Sequence, residues 1–374
     1  MKSIYIGLMS GTSVDSIDAA ATCFDDRGFT FLGALNHSIP SPLQQNIFNL
    51  CQSGLDTVQL YAETDNQLGE LFAEAAIALM TQHNLSTDQI IAIGSHGQTV
   101  RHSPPGGQLP AFSQQIGDPN IIAARTNCPV VADFRRADMA YGGHGAPLVP
   151  AFHQQLFSHQ HLNRAIINIG GIANITVLPA TKPDTDSDCY GYDTGPGNVL
   201  LDSWVKLHRN TAFDTNGNWG AGGEISTPLL QQLKSHDYFA KPAPKSTGRE
   251  TFNQQWLEEQ LNSIDDIAPQ DVQATLMQLT AETIADQIKS LKIEIDQVFI
   301  CGGGAFNTDL IGRLDAALPN TDLATTAELG LDPNWVEACA FAWLAKQRIE
   351  KQPGNLPAVT GASKPAILGG IYLP

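Results

Sequence analysis

Basic residues are scarce in this chain: 21 Lys and Arg stand against 38 Asp and Glu over 374 residues, a formal net charge of −17. Nucleic acids and anionic membrane surfaces are gripped by clustered Lys and Arg. No basic stretch stands out, so neither partner is expected. Long apolar runs are missing as well, and none reaches the roughly 18 residues that span a bilayer. The opening Met1-Lys2-Ser3-Ile4-Tyr5-Ile6 runs at once into a Gly, Ser and Thr loop, without the apolar stretch and cleavage site of a signal peptide. The six cysteines (Cys23, Cys51, Cys128, Cys189, Cys301, Cys339) lie far apart and form no C-x-x-C pair. That spacing argues against a disulfide framework or a cysteine metal site, and for free thiols in a reducing, cytoplasmic compartment.

Glycine and proline are plentiful, at 33 and 22, while charged residues are only 16%. The pairing points to tight turns and close backbone approaches, and the length to two domains. Residues 3–8, 16–24 and 29–36 read as strands, the last two joined by Asp25-Asp26-Arg27-Gly28. Helices are expected from Pro42, over Asp56 to His83 and over Asp118 to Thr126, with strands at Ile90–Gly94 and Pro129–Asp133. Phe134 to Pro150 reads as a long loop, and the domain boundary is placed there. The second half opens as the first does: an apolar strand, Ala165 to Gly171, ends in glycine and turns at once into Ile172 to Leu178. The polar run Thr181 to Asp188 reads as a hairpin tip. Further helices are read over Pro196–Arg209, along Val272 to Leu291 and over Pro333–Ile349, with a strand at Gln297–Cys301. Ala358 to Pro374 is extended and returns to the first domain. The expected domains are 1–133 plus 358–374, and 134–357, a duplicated α/β unit facing a cleft.

Three glycine loops carry the candidate chemistry. In Met9-Ser10-Gly11-Thr12-Ser13-Val14-Asp15-Ser16-Ile17-Asp18 the small residues let backbone N–H groups reach a phosphate. Asp15 and Asp18 could hold Mg²⁺ directly or through water. The loop lacks G-x-x-x-x-G-K-[ST] and is no P-loop; a bare hairpin turn is the rival reading. In Tyr192-Asp193-Thr194-Gly195-Pro196-Gly197-Asn198, Asp193 enters a turn that opens a helix, whose N-terminus offers free N–H groups to an anion. A carboxylate there acts as general base or metal ligand, or it merely caps the helix. The turn at Gly170-Gly171 parallels the first loop, so two loops could grip one polyphosphate. Cys301-Gly302-Gly303-Gly304 leaves room for a flat nucleobase; it is not G-x-G-x-x-G, and a tight turn would need one glycine. His96 and Thr99 could bind sugar hydroxyls, although a lone His in a turn is commonly structural. Arg135 and Arg136 suit a carboxylate held bidentately, or a surface salt bridge. The chemistry of Lys245-Ser246-Thr247-Gly248-Arg249-Glu250 does not follow from its letters.

Taken in order, Met9-Ser10-Gly11-Thr12-Ser13-x-Asp15, His96-Gly97-Gln98-Thr99, Gly117-Asp118-Pro119, Ala132-Asp133-Phe134-Arg135, Gly145 to Pro150, Asp193 to Asn198, Lys245 to Glu250, Cys301 to Gly304 and Thr360-Gly361-Ala362 cover nearly the whole chain. This ordered set resembles the anhydro-N-acetylmuramic acid kinases. The resemblance implies an α/β, two-domain actin-like ATPase fold with ATP and Mg²⁺ in the interdomain cleft. It implies a cell-wall recycling reaction in which 1,6-anhydro-N-acetylmuramic acid, ATP and water give N-acetylmuramic acid 6-phosphate and ADP. It maps the ATP loop onto Gly11 to Asp18, the catalytic aspartate onto Asp193 and sugar contacts onto Thr99, Asp118 and Arg135. A homodimer is implied too. Two other readings stand beside it: an ordinary hydroxyl kinase for another amino sugar, and a nucleotide-gated scaffold or chaperone of the actin or Hsp70 type.

Overall fold

The computed structural model describes residues 3–25, 28–106, 110–181, 189–243, 245–264 and 266–374. They form two compact units, Met1–Leu156 with Trp335–Pro374, and Phe157–Asn334.

In the first unit β1 (Ile4–Met9) is buried throughout and is followed by β2 (Ser16–Asp25) and β3 (Gly28–Ser38), an antiparallel meander. β4 (Ile90–Ser95) runs parallel to β1. β5 (Gln98–Ser103) and β6 (Phe112–Ile116) make a separate hairpin. β7 (Val130–Ala132) lies parallel to β4, and Gly370–Tyr372 pairs antiparallel with β7, so the C-terminal segment returns to this sheet as expected. The helix Val58–Gln82 starts at Thr57, whose Oγ1 accepts from Leu60 N–H at 3.1 Å. It buries Leu68, Phe72, Ala75, Ala76 and Leu79 at helical spacing. Each large side chain removed from water there contributes about 1.5–3 kcal/mol.

The helix Val336–Ile349 belongs to this unit, because β1 and β4 are shaped to receive it. A Cβ added at Gly7 would stand 1.7 Å from Ala338 O, and one at Gly94 would stand 2.0 Å from Phe341 O. Only glycine admits backbone this close. The boundaries expected at 133/134 and 357/358 therefore move to 156/157 and 334/335. The stretch expected as a loop over Phe134 to Pro150 also differs: Phe134–Ala140 is a helix and Val149–Phe157 begins another. Phe134 is buried against Phe341, ring centroids 5.6 Å apart. Buried Asp138 accepts from Gly145 N–H (2.8 Å), Asn355 Nδ2 (2.6 Å) and Thr360 Oγ1 (2.7 Å). These long-range contacts, invisible in local composition, order the stretch.

The second unit repeats the plan. β8 (Arg164–Ile169), β9 (Ile172–Leu178) and β10 (Tyr190–Pro196) form an antiparallel meander, and β11 (Gln297–Cys301) and β12 (Asp322–Thr325) follow in parallel. Its order β10-β9-β8-β11-β12 matches β3-β2-β1-β4-β7 strand for strand. This is the duplicated α/β unit that the sequence leads one to expect. Residues 182–188 of the expected hairpin tip lie outside the described residues. The helices Val199–Arg209, Thr227–Lys234, Gln254–Leu261 and Pro269–Lys289 share a core of Leu200, Trp204, Leu229, Phe252 and Leu276. In such sheets the carboxyl ends of the parallel strands are where ligands bind.

Candidate active site

The turn from β1 to β2 holds the expected phosphate loop. Val14 is buried at φ +59°, an unusual conformation for a β-branched residue. Its N–H donates to Gly11 O at 3.2 Å. The amides of Gly11, Thr12 and Ser13 meet no protein acceptor among the described residues. Ser10 Oγ donates to Gln98 Oε1 (2.6 Å), which ties the loop to β5. Ser13 Oγ donates to Asp15 Oδ1 (2.5 Å), and Asn36 Nδ2 donates to both Ser16 Oγ (2.6 Å) and Asp18 Oδ1 (2.8 Å). Ile17 between them is core. Burial pushes the Asp18 carboxyl up to about 6; the Asn36 hydrogen bond opposes this and the Asp15 charge adds to it. Glu337 is raised for the same chief reason, with Asp18 adding and Arg135 opposing. Among the described residues no three His, Cys, Asp or Glu gather as a metal cage. Asp15 and Asp18 can therefore supply only part of a cation's shell.

A polar cavity of about 160 Å³ opens beside β4 and β6, lined by Tyr61, Asp65, Ser95, His96, Gln115 and Arg136 among others. Ser95 Oγ is buried and has no hydrogen-bond partner among the described residues. Of the four expected substrate residues, His96 lines this cavity and the other three stand one residue back. Thr99 Oγ1 accepts from the lining Gln115 (3.0 Å). Arg135 donates to His96 Nε2 through Nε (3.1 Å) and Nη2 (2.8 Å), and to Gly145 O through Nη1 (2.8 Å). Asp118 lies between lining residues Gly117 and Pro119, where Oδ1 accepts from Asn120 N–H and Nδ2, both 2.8 Å, and caps the helix Pro119–Thr126. With Arg135 donating to Nε2, His96 keeps its proton on Nδ1, 2.8 Å from Gly97 O. Burial and the guanidinium hold the ring neutral, far below its usual pKa. Burial likewise lowers Arg135 to about 10, with Glu337 opposing. The expected arginine pair is thus split, since Arg136 makes a surface ion pair with Asp133 (2.6 Å).

In the second unit Asp193 sits in β10 opposite Asn174, just before a bulge that skips Thr194. It is not the helix cap: the cap position of Val199–Arg209 is Asn198, and Asp193 Oδ2 instead accepts from Thr247 N–H at 3.0 Å. Its own N–H donates to Lys245 O (3.1 Å), and its carbonyl accepts from Tyr238 Oη (2.6 Å). Burial pushes its carboxyl up to about 6, the Thr247 amide opposes, and Glu250 adds to the rise. The helix N-terminus is less open than its letters suggest. Gly197 and Val199 N–H donate to Gly171 O (2.9 and 3.0 Å), and Asn198 N–H donates to Gly170 O (2.8 Å). A Cβ at Gly197 would lie 2.4 Å from Gly170 O, so the two turns are zipped together. The amides left for an anion here are those of Gly170 and Gly171, which meet no protein acceptor among the described residues. Gly195 continues the bulge. Gly302 and Gly304 pack on Asn168 and Ile169 at the end of β8, while Gly303 stays open toward Asn198.

The family described as anhydro-N-acetylmuramic acid kinase matches residues 3–374. The chain belongs to that family. Relatives named anhydro-N-acetylmuramic acid kinase share its whole length. That of Shewanella loihica is 50% identical over 371 residues, 99% of each chain. That of Shewanella oneidensis is also 50% identical over 371 residues, again 99% of each. That of Saccharophagus degradans is 49% identical over 374 residues, covering 100% of this chain and 99% of its own. For a member of the anhydro-N-acetylmuramic acid kinase family, the residues that sequence reasoning passed over are Tyr238, Thr247 and Glu337. Each meets its site across a long stretch of chain. Only the unexplained Lys245–Glu250 motif signalled one of them.

Proposed function

We propose that this chain is the ATP-dependent sugar kinase that opens 1,6-anhydro-N-acetylmuramic acid with water and places the γ-phosphoryl group on O6. The products are N-acetylmuramic acid 6-phosphate and ADP, and the reaction serves peptidoglycan recycling. One observation carries the mechanism: Asp193 is half-buried, fixed by a loop amide and free of the helix cap. The substrate's O6 is tied to C1 and has no proton to lose, so a base aimed at O6 would be idle. Asp193 takes the proton of a water that attacks C1, the C1–O6 bond breaks, and O6 accepts the phosphoryl group. This is the base half of an inverting glycosidase joined to a phosphoryl transfer governed by positioning.

The amides of Gly11 to Ser13 and of Gly170 and Gly171 are suited to ATP phosphates, and the Gly302–Gly304 turn to the nucleoside. The cavity beside His96, with its unpartnered Ser95 hydroxyl, suits the sugar, with Thr99, Asp118 and Arg135 shaping its walls. Asp15 and Asp18 offer Mg²⁺ one or two oxygens, which fits an ion that keeps its water and leans on substrate phosphates. When bound, Mg²⁺ neutralises phosphate charge. We read the protein as a cytoplasmic homodimer. The six cysteines are scattered in sequence and form no C-x-x-C pair, which agrees with the compartment, and the dimer follows the resemblance and is checked by analytical ultracentrifugation.

The reaction is tested in ¹⁸O-water with rapid quenching and mass analysis. Label is expected in the anomeric hydroxyl, with O6 unlabelled and the inverted anomer formed first. Label in phosphate, or phosphorylation without ring opening, would make the protein a simple ATPase or an ordinary hydroxyl kinase.

A further inference from the structure

Asp193 ends a polar row that runs across the second sheet. Residues directly opposite each other in register share one face of a sheet. Cys301 of β11 stands beside Asn168 of β8, Asn168 opposite Asn174 of β9, and Asn174 opposite Asp193 of β10. Their neighbours along the strands, among them Ile169, Ala173, Ile175, Tyr192 and Ile300, face the other way, into the core. The row therefore lies on the face away from that core, at the carboxyl ends of β8 and β11. It starts beside the glycine turn, where an added Cβ at Gly302 would lie 2.3 Å from Asn168 Oδ1.

The spacing within the row follows from where the main-chain groups go. Asp193 N–H donates to Lys245 O, and its carbonyl accepts from Tyr238 Oη, so both point away from β9. Asp193 and Asn174 therefore share no main-chain hydrogen bond. In such a pair the Cα atoms stand about 4.5 Å apart, and the side chains are closer than in the bonded type. Asn174 is half-buried, and its side-chain amide meets no hydrogen-bond partner among the described residues. It is not sealed from solvent, as the Thr247 hydroxyl is, so water reaches it. Asparagine is disfavoured in strands, and the rest of β9 is Ile, Ala, Thr, Val and Leu. An asparagine placed there, beside a carboxylate it does not bond, points to a third group between the two.

We propose that Asn174 and Asp193 hold the attacking water between them: Asp193 Oδ1 accepts one of its hydrogens and Asn174 Oδ1 the other. The inference rests on the reading of Asp193 as the base. Thr247 N–H occupies Oδ2, which leaves Oδ1 for the water. In the step, the water passes one proton to Asp193 Oδ1 and its oxygen bonds C1. The C1–O6 electron pair stays on O6, which bonds the γ-phosphorus as ADP departs. Asn174 gains and loses nothing. A neutral acceptor suits this place, because a second carboxylate would raise the pKa of the first and hold it protonated.

The test compares Asn174→Leu, Asn174→Asp and Asp193→Asn in the full-length enzyme, with ATP, Mg²⁺ and the anhydro sugar. Misplacing a reacting group by about 1 Å costs up to about 100-fold, so Asn174→Leu is expected to lose roughly 30-fold in kcat, with KM for both substrates within about twofold. ADP released per sugar opened should rise above one in that variant, because ATP is then cleaved without a directed water. Asn174→Asp keeps an acceptor but sets a charge beside the base, so the acid limb of kcat/KM is expected to move up by about one pH unit or more. Above that limb its kcat should exceed that of the leucine variant. An acid limb that stays in place in Asn174→Asp overturns the inference while Asp193→Asn remains inactive. So does an Asn174→Leu that lowers only the melting temperature and leaves the ADP ratio at one. An active Asp193→Asn overturns the base reading itself. If Asn174→Leu fails to fold, Asn174→Ala gives the same comparison.

Discussion

Burial raises the Asp193 carboxyl to about 6, Glu250 adds to the rise, and the Thr247 amide pulls the other way. A general base works only when ionised, so kcat/KM is expected to fall about tenfold per pH unit below roughly 6. Glu250→Gln removes a repelling charge and should move that acid limb to lower pH, which a pH–rate profile will show. An unmoved limb would take Glu250 out of the site. The stability sign is the reverse of the usual aspartate. With the folded pKa raised, the folded chain holds this proton longer than the unfolded one, and the stabilisation is lost as pH rises through about 6. Asp193 stands out because a strand delivers it into a glycine turn, but its local letters leave capping and catalysis open, and the role of base comes from the family resemblance. The deciding partners, Thr247 and Tyr238, lie 54 and 45 residues away in sequence. No local pattern reports a hydrogen bond of that reach.

Among the elements, the two sheets show how close packing consumes glycine. β1 and β4 meet the helix Val336–Ile349 backbone to backbone at Gly7 and Gly94. Gly94→Ala would drive a methyl group into Phe341 O, a contact with no flexible side chain to yield. Overpacking of this kind costs about 1–3 kcal/mol or more, so the melting temperature should drop by several degrees, read by calorimetry. An unchanged melting temperature would mean that the helix is free to move off the sheet. The three-strand openings of both units were readable, because apolar runs ending in glycine mark buried strands. The helices Phe134–Ala140 and Val149–Phe157 were not. Seven and nine residues are too few to display a helical period among prolines and glycines. Conversely, the open helix N-terminus expected after Asp193 is largely spent on Gly170 and Gly171, since Gly197 brings the two turns into bonding distance.

The whole molecule is acidic, with a net charge of −17, and the proposed phosphate loop from Gly11 to Asp18 contains no lysine. No cage of three acidic or histidine ligands exists among the described residues to bind a cation unaided. Charge on ATP must then be met by a divalent ion carried largely by the nucleotide itself. Excess chelator is expected to abolish turnover, and added Mg²⁺ to restore it; full activity in chelator would rule this out.

The first unit is assembled from both flanks of the second, residues up to Leu156 and from Trp335 onward. A ribosome delivers the chain from one end, and domains fold as units while it does so. The helix that seats on Gly7 and Gly94, and the strand that pairs with β7, are made only after the whole of the second unit. Nascent residues 1–156 must therefore wait with the sheet face over Gly7 and Gly94 uncovered, while the contiguous 157–334 can finish first. Ribosome-stalled chains that have just released residue 334 from the tunnel should show a protease-resistant second unit beside a still-cleavable first. Resistance of both at that length would mean that the first sheet holds without its last helix. A unit finished last is exposed longest, so this first sheet is where the newborn chain most needs a chaperone.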